Sequence, residues 1–285
     1  MYQELNVFIG GDLHSNTATS LTPPEFNHPP ADSSAPKEHK QYQFRVQSWE
    51  WFARTLKEIF KDGHPDVALW LGDLIEGLGE RAESSEADEV PIQLKVATAV
   101  VRYVAAGKNY FVRGTPAHVG RAKTTWEDLI CEMVGGAEIG DEGHYVFNDL
   151  HIAAKHFIGS TRSPVSKATA ICGALTKQLI WAMTGQQSLA SLVLRAHTHT
   201  CIGVIDGCPR REAWIIPALT GLGSVYGSRC IDGLPVHFGF VQLLISDKDN
   251  WEIKPHIVPF EFQKAHEVVF NKPKHEPRRR ASRSL

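Results

Sequence analysis

Leu192-Val193-Leu194-Arg195-Ala196-His197-Thr198-His199-Thr200 is the stretch whose reading decides the fold. An apolar run leads straight into two histidines one residue apart. The run predicts a buried strand over 192–196, and His197 and His199 then fall just past its C-terminal end. In extended backbone, residues i and i+2 point to the same side. Two imidazoles side by side at a strand end can grip a metal ion. A lone His-x-His is as readily two unrelated polar residues, so the other strand ends carry the decision.

Working outward, four more apolar runs end in residues of the same kind. Leu5–Ile9 runs into Gly10-Gly11-Asp12-Leu13-His14, and Val67–Leu71 into Gly72-Asp73-Leu74-Ile75-Glu76-Gly77. Tyr110–Val112 precedes Arg113-Gly114-Thr115-Pro116-Ala117-His118. His151–Lys155, the second arm of a hairpin with Tyr145–Asn148 around Asp149-Leu150, ends at His156. Between these strands, helices are expected over Val46–Lys61, Ile92–Ala106, Thr124–Val134 (with Thr124 or Thr125 as N-cap) and Lys167–Met183. From Ile202 to Val258 the pattern changes to short strands separated by Gly-rich turns: Ile202–Ile205, Trp214–Ile216, Phe238–Ile245 and Trp251–Val258. That change predicts a second, antiparallel sheet or the second half of a sandwich.

The bounds agree with an enzyme-sized α/β chain. At 285 residues, with 42% hydrophobic and 22% charged residues, the composition is that of an ordinary globular protein. One main domain over 1–271 and a basic tail over 272–285 are expected. The net charge is −2, so the molecule as a whole is no obvious polyanion binder, although the tail gathers six Lys/Arg against one Glu. Five cysteines with no Cys-x-x-Cys argue against a disulfide framework and for a reducing, cytoplasmic setting. No apolar stretch approaches membrane-spanning length, and no basic segment followed by an apolar run opens the chain. Residues 15–44, polar and rich in proline, are expected to be a loop insertion that serves as a lid or partner surface.

Ligands in an open α/β sheet gather at the carboxyl ends of strands. Asp12/His14, Asp73, His118, His156 and His197/His199 should therefore converge. Mixed Asp and His ligands suit borderline divalent ions such as Zn²⁺, Mn²⁺ or Fe²⁺. The set is too large for one tetrahedral ion and right for two that share a carboxylate bridge, for which Asp73 is the choice. Two such ions acidify a bridging water and neutralise a phosphoryl group during in-line displacement. His118 then fits the role of proton donor to the leaving oxygen.

The ordered set Asp12-x-His14, Gly72-Asp73, Gly114…His118, His156 and His197-x-His199 resembles the calcineurin-like metallophosphoesterase superfamily over about residues 5–200. The resemblance implies a two-sheet β-sandwich flanked by helices, with a dinuclear centre at the C-terminal edge of the strands. It implies that Asp12, His14, Asp73 and His199 hold the first ion, and Asp73, His156 and His197 the second. The ions would be Mn, Zn, Fe or Mg. The family's third block is Gly-Asn-His; here Thr115 stands where Asn is expected, and two further residues precede His118. Thr115 is thus a candidate neutral ligand. Glu76, where the family often has a second Asp, is expected to act behind the ligands.

Substrate choice falls to loops. Arg162, after His156, could hold a phosphate, and Tyr226 or Arg229 could stack on a base or pair with one. The expected activity is hydrolysis of phosphate esters, with phosphodiesters of nucleotide or nucleic-acid type leading. A phosphomonoesterase and a non-catalytic scaffold with a degenerate site are the alternatives.

Overall fold

A computed structural model describes residues 2–31, 36–60, 63–78, 90–120, 124–136, 138–159, 164–207, 209–221 and 236–258. Two sheets form the centre. The first has six strands in the order β11-β10-β1-β2-β3-β4: β1 Leu5–Gly10, β2 Val67–Trp70, β3 Lys108–Val112, β4 Glu138–Gly140, β10 Gly239–Ile245 and β11 Trp251–Ile257. The second has five in the order β5-β6-β7-β9-β8: β5 Gly143–Phe147, β6 Leu150–Ala154, β7 Leu192–Arg195, β8 Ile202–Gly207 and β9 Arg210–Ile215.

The alternation of side chains along each strand explains the layering. In β1, Val7 and Ile9 face the second sheet, where they join Leu150, Ile152, Leu192 and Leu194 in one core. Phe8, between them, faces the other way and packs with Trp70, Phe111, Phe52, Val100 and Ile130. Those last three come from helices α1 (Pro36–Ile59), α2 (Val90–Val104) and α4 (Trp126–Val134). The outer face of the second sheet presents Ala153, Val193, Ala213 and Ile215 to Ile171 and Leu175 of helix α5 (Pro164–Met183). The result is a sandwich with helices on both outer faces. Strands buried on both faces need continuous apolar runs, and β1, β2 and β7 have them.

Helix α4 shows why sequence sets its ends. The Thr125 hydroxyl accepts the Asp128 backbone N–H, the Asp128 carboxylate accepts the Thr125 N–H, and Gly135 closes the helix in left-handed backbone at φ 67°. This is a capping box at one end and an αL glycine at the other.

Three expectations change. The helix expected from Val46 begins at Pro36, so the supposed 15–44 insertion is short. Within it, residues 17–23 are buried, and Ser20 forms a bridge to Thr220. Proline fits the first turn of a helix, where its missing N–H costs nothing, and that start was hidden by the polar residues that follow it. The C-terminal strands do not all complete the second sheet: β8 and β9 do, but β10 pairs antiparallel with β1 and β11 extends that edge. A parallel strand, β4, and a one-turn helix, α3 (Pro116–Val119), were not anticipated. Arg162, Tyr226, Arg229 and the tail 272–285 lie outside the described residues.

Candidate metal centre

Strands β1, β2 and β3 are parallel, so their carboxyl ends share one edge. Backbone bonds then fasten the turns that follow. The Asp12 N–H donates to the Gly72 carbonyl (2.9 Å), His14 N–H to Asp73 (3.0 Å) and Ser15 N–H to Leu74 (3.1 Å). In the second sheet the Ala196 N–H donates to the His156 carbonyl (2.9 Å). At this edge bonds cross between the sheets: the His197 N–H donates to Asp12 Oδ2 at 2.8 Å, and His156 Nδ1 to the Leu71 carbonyl at 2.5 Å. The ligand-type side chains of both sheets are thereby brought into one cleft.

Asp12, His14 and His199 form one group whose ligand atoms lie within 4.8 Å of one another; Asp73, His156 and His197 form a second, and His14, Asp73 and His118 a third. The sets overlap at Asp73 and His14. Asp12 Oδ1 sits 3.4 Å from His199 Nε2, 3.8 Å from His14 Nε2 and 3.9 Å from His156 Nε2. His156 Nε2 lies 2.9 Å from Asp73 Oδ2.

The histidine rings are oriented by their far nitrogens. His14 Nδ1 faces the Glu76 carboxylate at 2.8 Å, His118 Nδ1 the Glu76 carbonyl at 2.7 Å, and His156 Nδ1 the Leu71 carbonyl. Those oxygens only accept, so each Nδ1 carries a proton and each Nε2 is the nitrogen left to face the cleft. This is the way metal-binding histidines are held. Asp12 Oδ1 and His14 Nε2 are buried without a hydrogen-bond partner, and His156 Nε2 is buried against Asp73 Oδ2. Buried polar atoms are rarely left without a partner, and two such atoms, Asp12 Oδ1 and His14 Nε2, aimed into one cleft fit a divalent cation.

Electrostatics point the same way. Burial opposes the charge on Asp12 and Asp73, yet His199 and His156 around Asp12, and His156 with His118 around Asp73, hold both carboxyls below the ordinary carboxylate range. Burial likewise opposes a charged His156, but Asp73 and Asp12 prevail and raise it to about 9. Without a cation, the cleft thus draws a proton onto His156. His197 is the contrary case, pushed down to about 4 by burial, so it stands neutral and ready to ligate.

The geometric reason for convergence differs from the extended-backbone one. Asp12 (φ 48°), His14 (43°), Asp73 (50°), His197 (77°) and His199 (52°) all have left-handed backbone. The pairs share a direction because each chain coils tightly at the strand end. Non-glycine residues at φ > 0 are uncommon and cluster at functional sites.

Thr115 is placed against Asp73 as a donor. Its N–H reaches Asp73 Oδ1 at 2.6 Å and its hydroxyl lies 3.2 Å from Oδ2. His118, on α3, stands edge-on to His14 with ring centroids 4.5 Å apart. Sequence reasoning missed Glu127, buried on α4, whose carboxylate accepts the Leu74 N–H (2.9 Å) and the Gly114 N–H (2.7 Å). Burial and the neighbouring Asp73 push it up to about 7, against the pull of those two N–H groups. Nothing in a Trp-Glu-Asp helix start distinguishes such a role from an ordinary acidic first turn.

Two helix-flanked sheets with Asp12/His14, Asp73, His118, His156 and His197/His199 along one edge are the arrangement the sequence resemblance implies. No protein-family model and no curated protein sequence matches the chain. Among solved structures it is similar to the wild-type Vps29 of Entamoeba histolytica complexed with Zn²⁺, at 11% identity over 89% of this chain and 99% of that one, TM-score 0.41. It is also similar to a novel archaeal phosphodiesterase (11%, 88% and 100%, TM-score 0.42) and to Yfce, a phosphoesterase from E. coli (10%, 84% and 91%, TM-score 0.40). Among the described residues, no helix is long and apolar enough to cross a membrane.

Proposed function

We propose that the chain is a metal-dependent phosphoesterase acting on phosphodiesters of nucleotide or nucleic-acid type. One observation carries the proposal: ligand atoms of Asp12, His14, Asp73, His156, His197 and His199 gather in one cleft, two of them, Asp12 Oδ1 and His14 Nε2, buried and unpartnered. We assign Asp12, His14, Asp73 and His199 to a first divalent ion and Asp73, His156 and His197 to a second. Such ions supply Lewis-acid neutralisation of phosphoryl charge and acidify water near neutral pH. A mixed Asp/His set suits Mn, Zn or Fe better than Mg, which prefers oxygen ligands.

The chain's own groups do the rest. Glu76 orients His14 through its carboxylate and His118 through its carbonyl. With its Nδ1 proton committed to that carbonyl, His118 delivers a proton from Nε2 to the departing oxygen. Thr115 steers Asp73 and takes no ligand place of its own. The preference for diesters rests on Arg162 and the basic residues of 272–285, whose charges suit a polyanion. The unpaired cysteines among the described residues, Cys131, Cys172 and Cys201, accord with a cytoplasmic setting.

The test compares bis- and mono-p-nitrophenyl phosphate with purified protein in Mn²⁺. Faster cleavage of the diester, lost by roughly 10²–10³-fold or more in Asp73→Asn, is the expected result. Faster cleavage of the monoester makes it a phosphomonoesterase. Cleavage of neither, with Asp73→Asn indistinguishable from the parent, makes it a binding scaffold and overturns the proposal.

A further inference from the structure

The turns after β2 and β3 meet backbone to backbone. A Cβ on Gly72 would lie 2.5 Å from the Gly114 nitrogen, and one on Gly114 would strike Asp73 Oδ1. So close an approach leaves the N–H groups of Leu74 and Gly114 with no strand partner, and both end on the carboxylate of Glu127. Glu127 is 1% exposed, so those two bonds are shielded from water and their geometry is fixed by α4. Its neighbour Asp128 grips the same region, taking the Arg113 guanidinium at 2.6 Å.

We infer that Glu127 is a positioning residue for the metal centre: its two carboxylate oxygens lock the Asp73 turn to the Thr115–His118 turn and so set the direction of the Asp73 ligand. The inference rests on the metal-centre reading above. Its physical content is that both oxygens must accept. An amide of the same size offers one acceptor and one donor, and the donor would oppose an N–H. One of the turns would then be released by a substitution that leaves volume unchanged.

Titration calorimetry with Mn²⁺ alone, on the full chain, tests this. In Glu127→Gln the affinity should fall roughly 10–100-fold, the range seen when groups behind metal ligands are removed, while the circular dichroism spectrum stays native. Glu127→Asp, which keeps both acceptors but draws them back by one methylene, should fall less. A merely structural clamp would instead lower the melting temperature of the metal-free chain and leave Mn²⁺ affinity within twofold of the parent; that result overturns the inference. If Glu127→Gln does not fold, the comparison is made with Glu127→Asp, where an unchanged affinity in folded protein is equally fatal. Asp73→Asn is the control. Lost affinity there alongside normal affinity in Glu127→Gln sinks the role of Glu127 only. Normal affinity in Asp73→Asn sinks the metal-centre reading and this inference with it.

Discussion

The proposed role of His118 rests on one bond. With Nδ1 tied to the Glu76 carbonyl at 2.7 Å, only Nε2 is left to act. Proton delivery matters when the departing oxygen is basic and little when it is not. His118→Ala should therefore slow an alkyl phosphodiester by roughly 10²–10⁴-fold and barely slow the p-nitrophenyl ester. Equal losses on both, measured as kcat, would move His118 from proton donor to ligand. Gly114 makes a second prediction at this scale. Because a methyl group there meets Asp73 Oδ1, Gly114→Ala should bind Mn²⁺ at least as poorly as Glu127→Gln, in a calorimetric titration. The six proposed ligands could be picked out in sequence because each follows an apolar run. Their left-handed backbone was not, since Asp-x-His and His-x-His spell the same whether the chain is extended or coiled. Glu127 was hidden for a different reason: its partners are backbone N–H groups, which carry no sequence signature.

At the level of elements, α4 is the piece that joins stability to the site. Asp128 closes the capping box on Thr125 and pairs with Arg113. Burial works against its charge, but the Arg113 guanidinium and the Thr125 groups hold its carboxyl below the ordinary value. A carboxyl lowered in the folded state stabilises above its unfolded pKa and loses that contribution as pH falls through its folded one. Asp128→Ala should thus cost about 1–2 kcal/mol near neutral pH, and the difference from the parent should shrink below about pH 4. Urea melts at pH 7 and pH 3 check both halves. The helix itself was readable, including its Thr125 cap, because capping is local. The allotment of β10 and β11 to the first sheet was not, because it depends on pairing across more than 200 residues, as Leu5 with Ile245 shows. The early start of α1 at Pro36 was missed because its first turns are polar and exposed.

For the whole molecule, the two sheets meet at the cleft, and the cross-sheet bonds from His197 to Asp12 and from His156 to Leu71 lie beside it. Ions bound there would act on both sheets at once. Mn²⁺ at a hundred times its Kd should stabilise the chain by about 2.7 kcal/mol, which raises the melting temperature by roughly 5–10 °C. A chelator should reverse the shift in scanning calorimetry, and Asp73→Asn should abolish it. The sandwich was legible as a whole from strand–helix alternation followed by strands alone.

The left-handed turns at Asp12, His14, Asp73, His197 and His199 set the protein's interests against each other. Glycine adopts such backbone freely, whereas a side chain there costs on the order of 1 kcal/mol or more. Selection for thermal endurance alone, in a library grown without metal or substrate, should therefore gather glycines at these five positions before it improves the core. Such survivors would be sturdier and inert, and the turns persist as they are only where the chemistry itself is being selected.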